Sequence, residues 1–439
     1  MKHSHRSKVV VTAIALLGTM GLAACSSSAP PAESTDAAKS SEPVEITFSS
    51  WLRGSEEVVN AFNDAQDDVE VTFKQVASAK DNYPQISNEV AAGTAPDVVT
   101  IEYPRISEIA TQGLIQDLTE PAGGFVAEEF PESVQSLVNF GGKTWSIPLD
   151  AGILNFFYRA DLFEQYGIEV PTTWAEYEQA AATVAAADPN VRLGASVLGD
   201  PALYAALAWQ NGAQWSSIKD DAWSIDVDSK ETTEVAEFHQ GLIDQGLVWT
   251  DEVEVLTQKQ AAGQLLSVVS GAWYGAGLAA TYPDQAGKWQ VAQVPSPTDE
   301  PAAAMYGGSS FAVTRDSEKT DAALEFIRWM TTDPAGIEAR ISLGASTIFP
   351  VHEDARAAAA EAFDAAFYDG QDIYEVGEAG LDAIPTGWVW GPATPTTFTA
   401  LADGSAQVKA GAAKLPDIFA EAQKATIADL KNRGISVDD

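Results

Sequence analysis

Cysteine is almost absent: the 439-residue chain has one, Cys25. A single thiol allows no intrachain disulfide and no thiolate zinc site. Histidine is scarce too. His3 and His5 precede Cys25, while His239 and His352 stand far apart in sequence, so no histidine-based metal cluster is expected. Bases are few, 25 Lys and Arg against 63 Asp and Glu, giving a net charge of −38. A surface of that sign repels phosphate backbones, which argues against nucleic acid as a partner. No apolar run reaches the length of a comfortable membrane span. The nucleophile elbow G-x-S-x-G, the zinc signature H-E-x-x-H and the P-loop are all missing. The sequence therefore points to no catalytic centre, metal or cofactor.

The N-terminus is basic, with Lys2, Arg6 and Lys8, followed by a short apolar run, Val9 to Leu22. This is the layout of a secretory signal. Leu22-Ala23-Ala24-Cys25 resembles the bacterial lipobox, in which the cysteine sulfur is lipidated and the chain is cut just before it. Residues 1–24 are then a signal peptide. A diacyl anchor at Cys25 holds the protein to a membrane surface without spanning it, since each buried CH₂ contributes about 0.8 kcal/mol. Ser26 to Glu42 is Ser, Ala, Pro and acid with little apolar bulk, so residues 25–43 read as a lipidated Cys and flexible tether. An anchor with so long a tether suits the outer face of the cytoplasmic membrane of a Gram-positive cell.

From Val44 the pattern turns regular. Val44, Ile46 and Phe48 alternate, as do Val69, Val71 and Phe73, and Asp97 to Ile101 is a buried-strand run. These read as strands. Helical stretches follow each: one capped by Ser55 with Val58 and Phe62 on one face, one over Asn82 to Ala92, and one from Ser107 to Gln112. Such β-α alternation predicts an α/β fold with right-handed crossovers, whose ligands bind beyond the carboxyl ends of the strands. Trp51 stands at such an end, beside Arg53 and Gly54, poorly placed for the core of its own sheet.

The most informative stretch is Gly141 to Tyr177, GGKTWSIPLDAGILNFFYRADLFEQYGIEVPTTWAEY. Ile153 to Tyr158 is dense enough for a strand buried on both faces. Asp161 to Tyr166 is a short helix stopped by Gly167. Thr173 to Glu176 has capping-box spacing, placing a helix start at Trp174. The ordered run resembles the extracellular solute-binding proteins of ABC importers, family 1, the sugar-binding group that includes maltose-binding protein. That resemblance implies two lobes, each with a parallel or mixed sheet, and a hinged cleft between them. It divides the chain into 44–138 and 308–350 for lobe 1 and 139–307 and 351–439 for lobe 2. Crossings are expected near Val138 to Lys143, Met305 to Ser309 and Ile348 to Val351.

It also implies positions for a ligand. Glu102 and Tyr103 follow the third strand, where the family supplies contacts. Asp150 follows the Ile147-Pro148 pair. Asp200, Tyr204 and Trp209 match a cleft helix of lobe 2; Trp215 there fits packing under a loop equally well. Trp273, closing LSVVSGAW with Tyr274 beside it, matches a cleft aromatic. Gly308 and Ser309, in YGGSSFAV, match a hinge whose backbone can approach a ligand. Trp388 and Trp390, among Gly and Pro in IPTGWVWGPATP, match late stacking aromatics, and either also reads as a packed loop residue.

Sugars offer apolar C–H faces and hydroxyls, so a site for them needs flat aromatics with carboxylates and amides. Twelve Trp, several at strand ends and loops, fit that need. The expected function is capture of a carbohydrate, an oligosaccharide above all, by a monomer that delivers it to membrane permease subunits. The same fold holding a polyamine or metal complex is the alternative. A secreted glycosidase would need a carboxylate pair about 5–10 Å apart, and no local signature marks one.

Overall fold

A computed structural model describes residues 42–196, 198–342, 344 and 346–438. The expected signal segment, Cys25 and nearly all of the tether lie outside the described residues. Strand Val44–Ser50 buries Ile46 and Phe48 and pairs in parallel with Val69–Gln75 on one side and Val98–Glu102 on the other. Central placement explains why Val98, Val99, Thr100 and Ile101 are all buried: both faces are covered. Ser309–Val313 joins antiparallel to Val98–Glu102, and Ile147–Pro148 closes the five-stranded sheet. The core on one face is aromatic. Phe48 meets Phe311 at 5.6 Å and Phe326 at 5.3 Å between ring centroids, edge to face, each pair adding about 0.5–1.5 kcal/mol beyond its area.

A second sheet orders Ser267–Gly271, Leu154–Arg159 and Trp289–Gln293, all antiparallel. Parallel hydrogen bonds from Arg192–Leu193 to Gln264–Ser267 extend it, so it is mixed. The fold is thus α/β and two-lobed, one lobe on each sheet. Helix Trp174–Ala187 begins where the Thr173–Glu176 spacing placed it, with both bonds of the capping box formed. Gly167, at φ +63, ends helix Ala160–Tyr166.

Local details differ from expectation. Ser55 is the first residue of its helix and not its cap; its hydroxyl donates to Ser50 Oγ. The crossing expected near Val138 to Lys143 comes later. Asn139–Phe140 and Lys143–Thr144 form a small hairpin, and Ile147–Pro148 still pairs in the first sheet. Three segments then run side by side between the sheets. Leu149 N–H donates to the Ser309 carbonyl (2.9 Å), Ala151 N–H to Phe349 (2.8 Å), Leu154 N–H to Ala304 (2.9 Å) and Val351 N–H to Leu149 (3.2 Å). Helix Glu353–Ala362, expected in the second lobe, packs on Pro334–Ile341 beside the first, because its alanine face (Ala355, Ala359) permits close approach.

Candidate functional site

Strand ends from both sheets converge where the three segments cross, and there they enclose a cavity of about 750 Å³. The first sheet delivers Trp51 and Arg53 just past Ser50, Glu102 at the end of its strand, and Arg105 one turn into the helix Tyr103–Thr111 that follows without a loop. The second delivers Trp273 and Tyr274 past Gly271. Asp150, Tyr306, Gly307, Gly308 and Ser309 come from the crossings, and Asp200 from the start of helix Pro201–Gln210.

The aromatic faces are held by polar contacts. Trp273 is 41 % exposed, and its Nε1–H donates to the Tyr306 carbonyl at 2.9 Å. The two rings stand 5.4 Å apart. The Tyr306 hydroxyl in turn donates to Asp200 Oδ2, while Asp200 Oδ1 accepts the Ala202 and Leu203 amides at the helix start. Across the cavity Trp51 meets Tyr83 edge to face. Tyr83 donates its hydroxyl proton to Glu102 Oε2 (2.9 Å), and the Arg105 guanidinium lies over its ring at 3.9 Å. These bonds fix the rings before any ligand arrives, which lowers the ordering cost of binding.

Burial raises the Glu102 carboxyl above the usual range, against the Tyr83 hydrogen bond and the Arg105 charge. Burial also pushes the Asp150 carboxyl up to about 7, while the Ser309 N–H (2.8 Å to Oδ1) and Arg340 pull it down. Carboxylates, tyrosines and the Gly-rich crossing thus supply acceptors and donors among apolar rings, an arrangement that holds hydroxyl groups against flat faces. Among the described residues no cluster of His, Cys, Asp and Glu could hold a metal ion. A larger hollow of about 810 Å³, lined by Arg159, Tyr166, Asp188 and Lys288 among others, lies away from the crossings and has no Trp in its wall.

Of the residues named from sequence, Trp51, Arg53, Glu102, Asp150, Asp200, Trp273, Tyr274, Gly308, Ser309 and Trp390 line this cavity. Four do not. Tyr103 is buried under Gly308 and donates to the Asp150 carbonyl (2.9 Å). Tyr204 shares a hydrogen bond with Ser196 and packs on His239 and Phe419. Trp209 and Trp388 stack on each other at 5.1 Å, fully buried, with Trp215 at the side of Trp388. The sequence reading missed Tyr83, Arg105 and Tyr306. Arg105 closes the strand-end segment Glu102 to Arg105, a visible signal. Tyr306 stands beside Gly307, also visible. Tyr83 reads as an ordinary helix residue, and nothing local distinguishes it.

A family model described as bacterial extracellular solute-binding protein matches residues 49–337. The lactose-binding protein of Rhizobium radiobacter is 27 % identical over 282 residues; the match covers 59 % of this chain and 63 % of that protein's length. Two solved structures are each 26 % identical. The galacto-N-biose/lacto-N-biose I-binding protein of an ABC transporter from Bifidobacterium longum, in complex with lacto-N-biose, gives a TM-score of 0.80 over 91 % of this chain and all of that one. An ABC-transporter-associated binding protein from B. animalis subsp. lactis, in complex with β-1,6-galactobiose, gives 0.76 over 90 % of this chain and all of that one.

Proposed function

The chain belongs to the family of bacterial extracellular solute-binding proteins, and from that premise we propose that it captures an oligosaccharide and delivers it to the permease subunits of an ABC importer. The observation that carries this reading is the cavity lining: Trp51, Tyr83, Trp273 and Tyr306 rings interleaved with Glu102, Asp150 and Asp200. Flat rings suit the C–H faces of pyranoses, and carboxylates suit their hydroxyls. A volume of about 750 Å³ exceeds what a monosaccharide fills and sits within the range of small-molecule sites. The similar proteins named for lactose, lacto-N-biose and β-1,6-galactobiose support the class of ligand.

The mechanism follows from the crossings. A ligand that touches Trp51 and Glu102 on one side and Trp273 and Asp200 on the other binds the closed arrangement better than the open one, and so shifts the lobes toward closure. The closed form is the one a permease receives. Binding proceeds without conversion of the glycan. No helix among the described residues is long and apolar enough to cross a membrane. We assign Cys25 as the lipid attachment point and the protein as a monomer on the outer face of the membrane.

The test is tryptophan fluorescence and melting temperature against a panel of oligosaccharides, with polyamines and metal complexes as controls. A saturable response to one glycan class is expected, with stabilisation of about 2.7 kcal/mol at a hundredfold excess over Kd and glycan composition constant over hours. Consumption of the glycan would make the protein an enzyme. A response to the controls alone would keep the fold and overturn the ligand.

A further inference from the structure

Tyr306 has all of its polar groups bonded toward the second lobe. Its N–H donates to the Gly152 carbonyl (2.6 Å), and the preceding Met305 bridges to Ile153, at the entry to strand Leu154–Arg159. Its carbonyl accepts the Trp273 indole N–H (2.9 Å), and its hydroxyl donates to Asp200 Oδ2. Two residues on, the chain is bonded to the first sheet instead: the Gly308 carbonyl accepts the Tyr103 N–H (3.2 Å), and Ser309 pairs with Glu102. Tyr306 is therefore the last residue of this crossing that is tied to Trp273 and Asp200. The fit is close. A Cβ on Gly271 would collide with the Trp273 indole and stand 2.7 Å from the Tyr306 carbonyl. The two rings lie 5.4 Å apart, tilted by 58°.

Asp200 is held at both oxygens. Oδ1 accepts the Ala202 and Leu203 amides at 3.2 and 3.3 Å, and Oδ2 accepts the Tyr306 hydroxyl. An ionised carboxylate offers about four acceptor positions. Among the described residues three are taken, which leaves one, on Oδ2, in the cavity that Asp200 lines. The helix amides hold Oδ1 but leave the carboxylate plane free to turn about it; Tyr306 sets that plane. Burial, and after it the Asp200 charge, keeps the Tyr306 hydroxyl well above its usual range, so it stays a donor at neutral pH.

We propose that Tyr306 is a positioning residue for the second-lobe half of the cavity: its hydroxyl aims the free Asp200 acceptor and its carbonyl seats the Trp273 indole, so a ligand meets acceptor and ring at one fixed spacing. The nature of the ligand rests on the carbohydrate reading; the coupling of Tyr306 to Asp200 and Trp273 does not. Y306F keeps the ring that faces the cavity and removes only the hydroxyl. Two measurements on the full chain use it. The first follows solvent exchange of the Trp273 indole N–H by NMR, without ligand, with W273F to assign the signal. In Y306F exchange should be roughly tenfold faster, since a ring released from Asp200 no longer steadies the carbonyl that the indole bonds. The second is a double-mutant cycle on affinity for β-1,6-galactobiose, with D200S as the other variant. Its single side-chain oxygen still caps helix Pro201–Gln210 and leaves none for Tyr306. Y306F alone should lose roughly tenfold. Added to D200S it should lose nothing further, because the group it acts through is gone.

A cooperatively folded Y306F with the wild-type indole exchange rate, or with wild-type affinity, would overturn the proposal. So would losses that multiply in the double variant, which would make the hydroxyl a direct ligand contact. Should Y306F lose its cooperative melt, D200S breaks the same bond from the other side, with the same expected rise in indole exchange and the same overturning result. If wild-type protein binds neither this disaccharide nor lactose, the carbohydrate reading falls, and the indole measurement still decides whether Tyr306 positions Trp273.

Discussion

Trp273 and Trp388 have the same side chain and opposite situations. Trp273 is held by one hydrogen bond at the cavity rim, whereas Trp388 is enclosed by Trp209, Trp215 and Trp390. W273A should therefore weaken glycan binding tenfold or so and leave the melting temperature nearly unchanged; loss of the cooperative melt would mark it as a core residue. W388A should cost about 3–5 kcal/mol of stability, read by denaturant unfolding. Asp150 adds a pH signature. Its folded carboxyl titrates near 7 and its unfolded one near 3.8, so over that window the folded state holds a proton the unfolded chain has lost. The group's contribution to stability therefore falls as pH rises from about 4 to 7 and is level above that. D150N should remove this slope, seen as a difference between the two stability–pH curves that grows across the window and then stays constant.

At the scale of elements, the caps and the crossing strands make separate demands. The capping box at Thr173 starts helix Trp174–Ala187 far from the cavity, so T173A should lose about 1 kcal/mol with ligand affinity unchanged. Gly308 belongs to the strand end that meets Asp150. Its φ is +99, and an added Cβ would stand 2.7 Å from Tyr103 Cε2 and 2.9 Å from the Asp150 carbonyl. G308A should destabilise by more than about 1 kcal/mol and also lower affinity, because relief of either contact moves a residue of the crossing. A G308A protein with wild-type stability and affinity would show that the crossing yields more freely than this packing implies.

For the whole molecule, the arrangement of two sheets joined by three hydrogen-bonded segments puts the cavity where the proposed closure of the lobes would be felt most. Surface charge acts at another level. Net charge of −38 keeps the molecule apart from anionic surfaces, yet the cavity wall holds Arg53, Lys80 and Arg105 as well as three acids. The overall charge therefore says little about the ligand. Closure should appear as a smaller radius of gyration when a glycan that stabilises the protein is added, and no change under saturation would remove the hinge from the mechanism.

The sequence by itself determined what depends on neighbours a few residues away. Alternation at Val44–Phe48, the buried run at Asp97–Ile101, the stop at Gly167 and the capping box at Thr173 each follow from local sterics and hydrogen bonding. Strand ends are legible on the same grounds, which is why Trp51 reads as a cavity residue; Glu102 and Trp273 are placed there by the family resemblance. Only the tertiary structure decided which late aromatics face that cavity. Trp209 and Trp388 are buried by each other, and Tyr83 is turned inward by Glu102 and Arg105. Local pattern carries no trace of such partners, because burial is set by segments that are distant in the chain and adjacent only after folding.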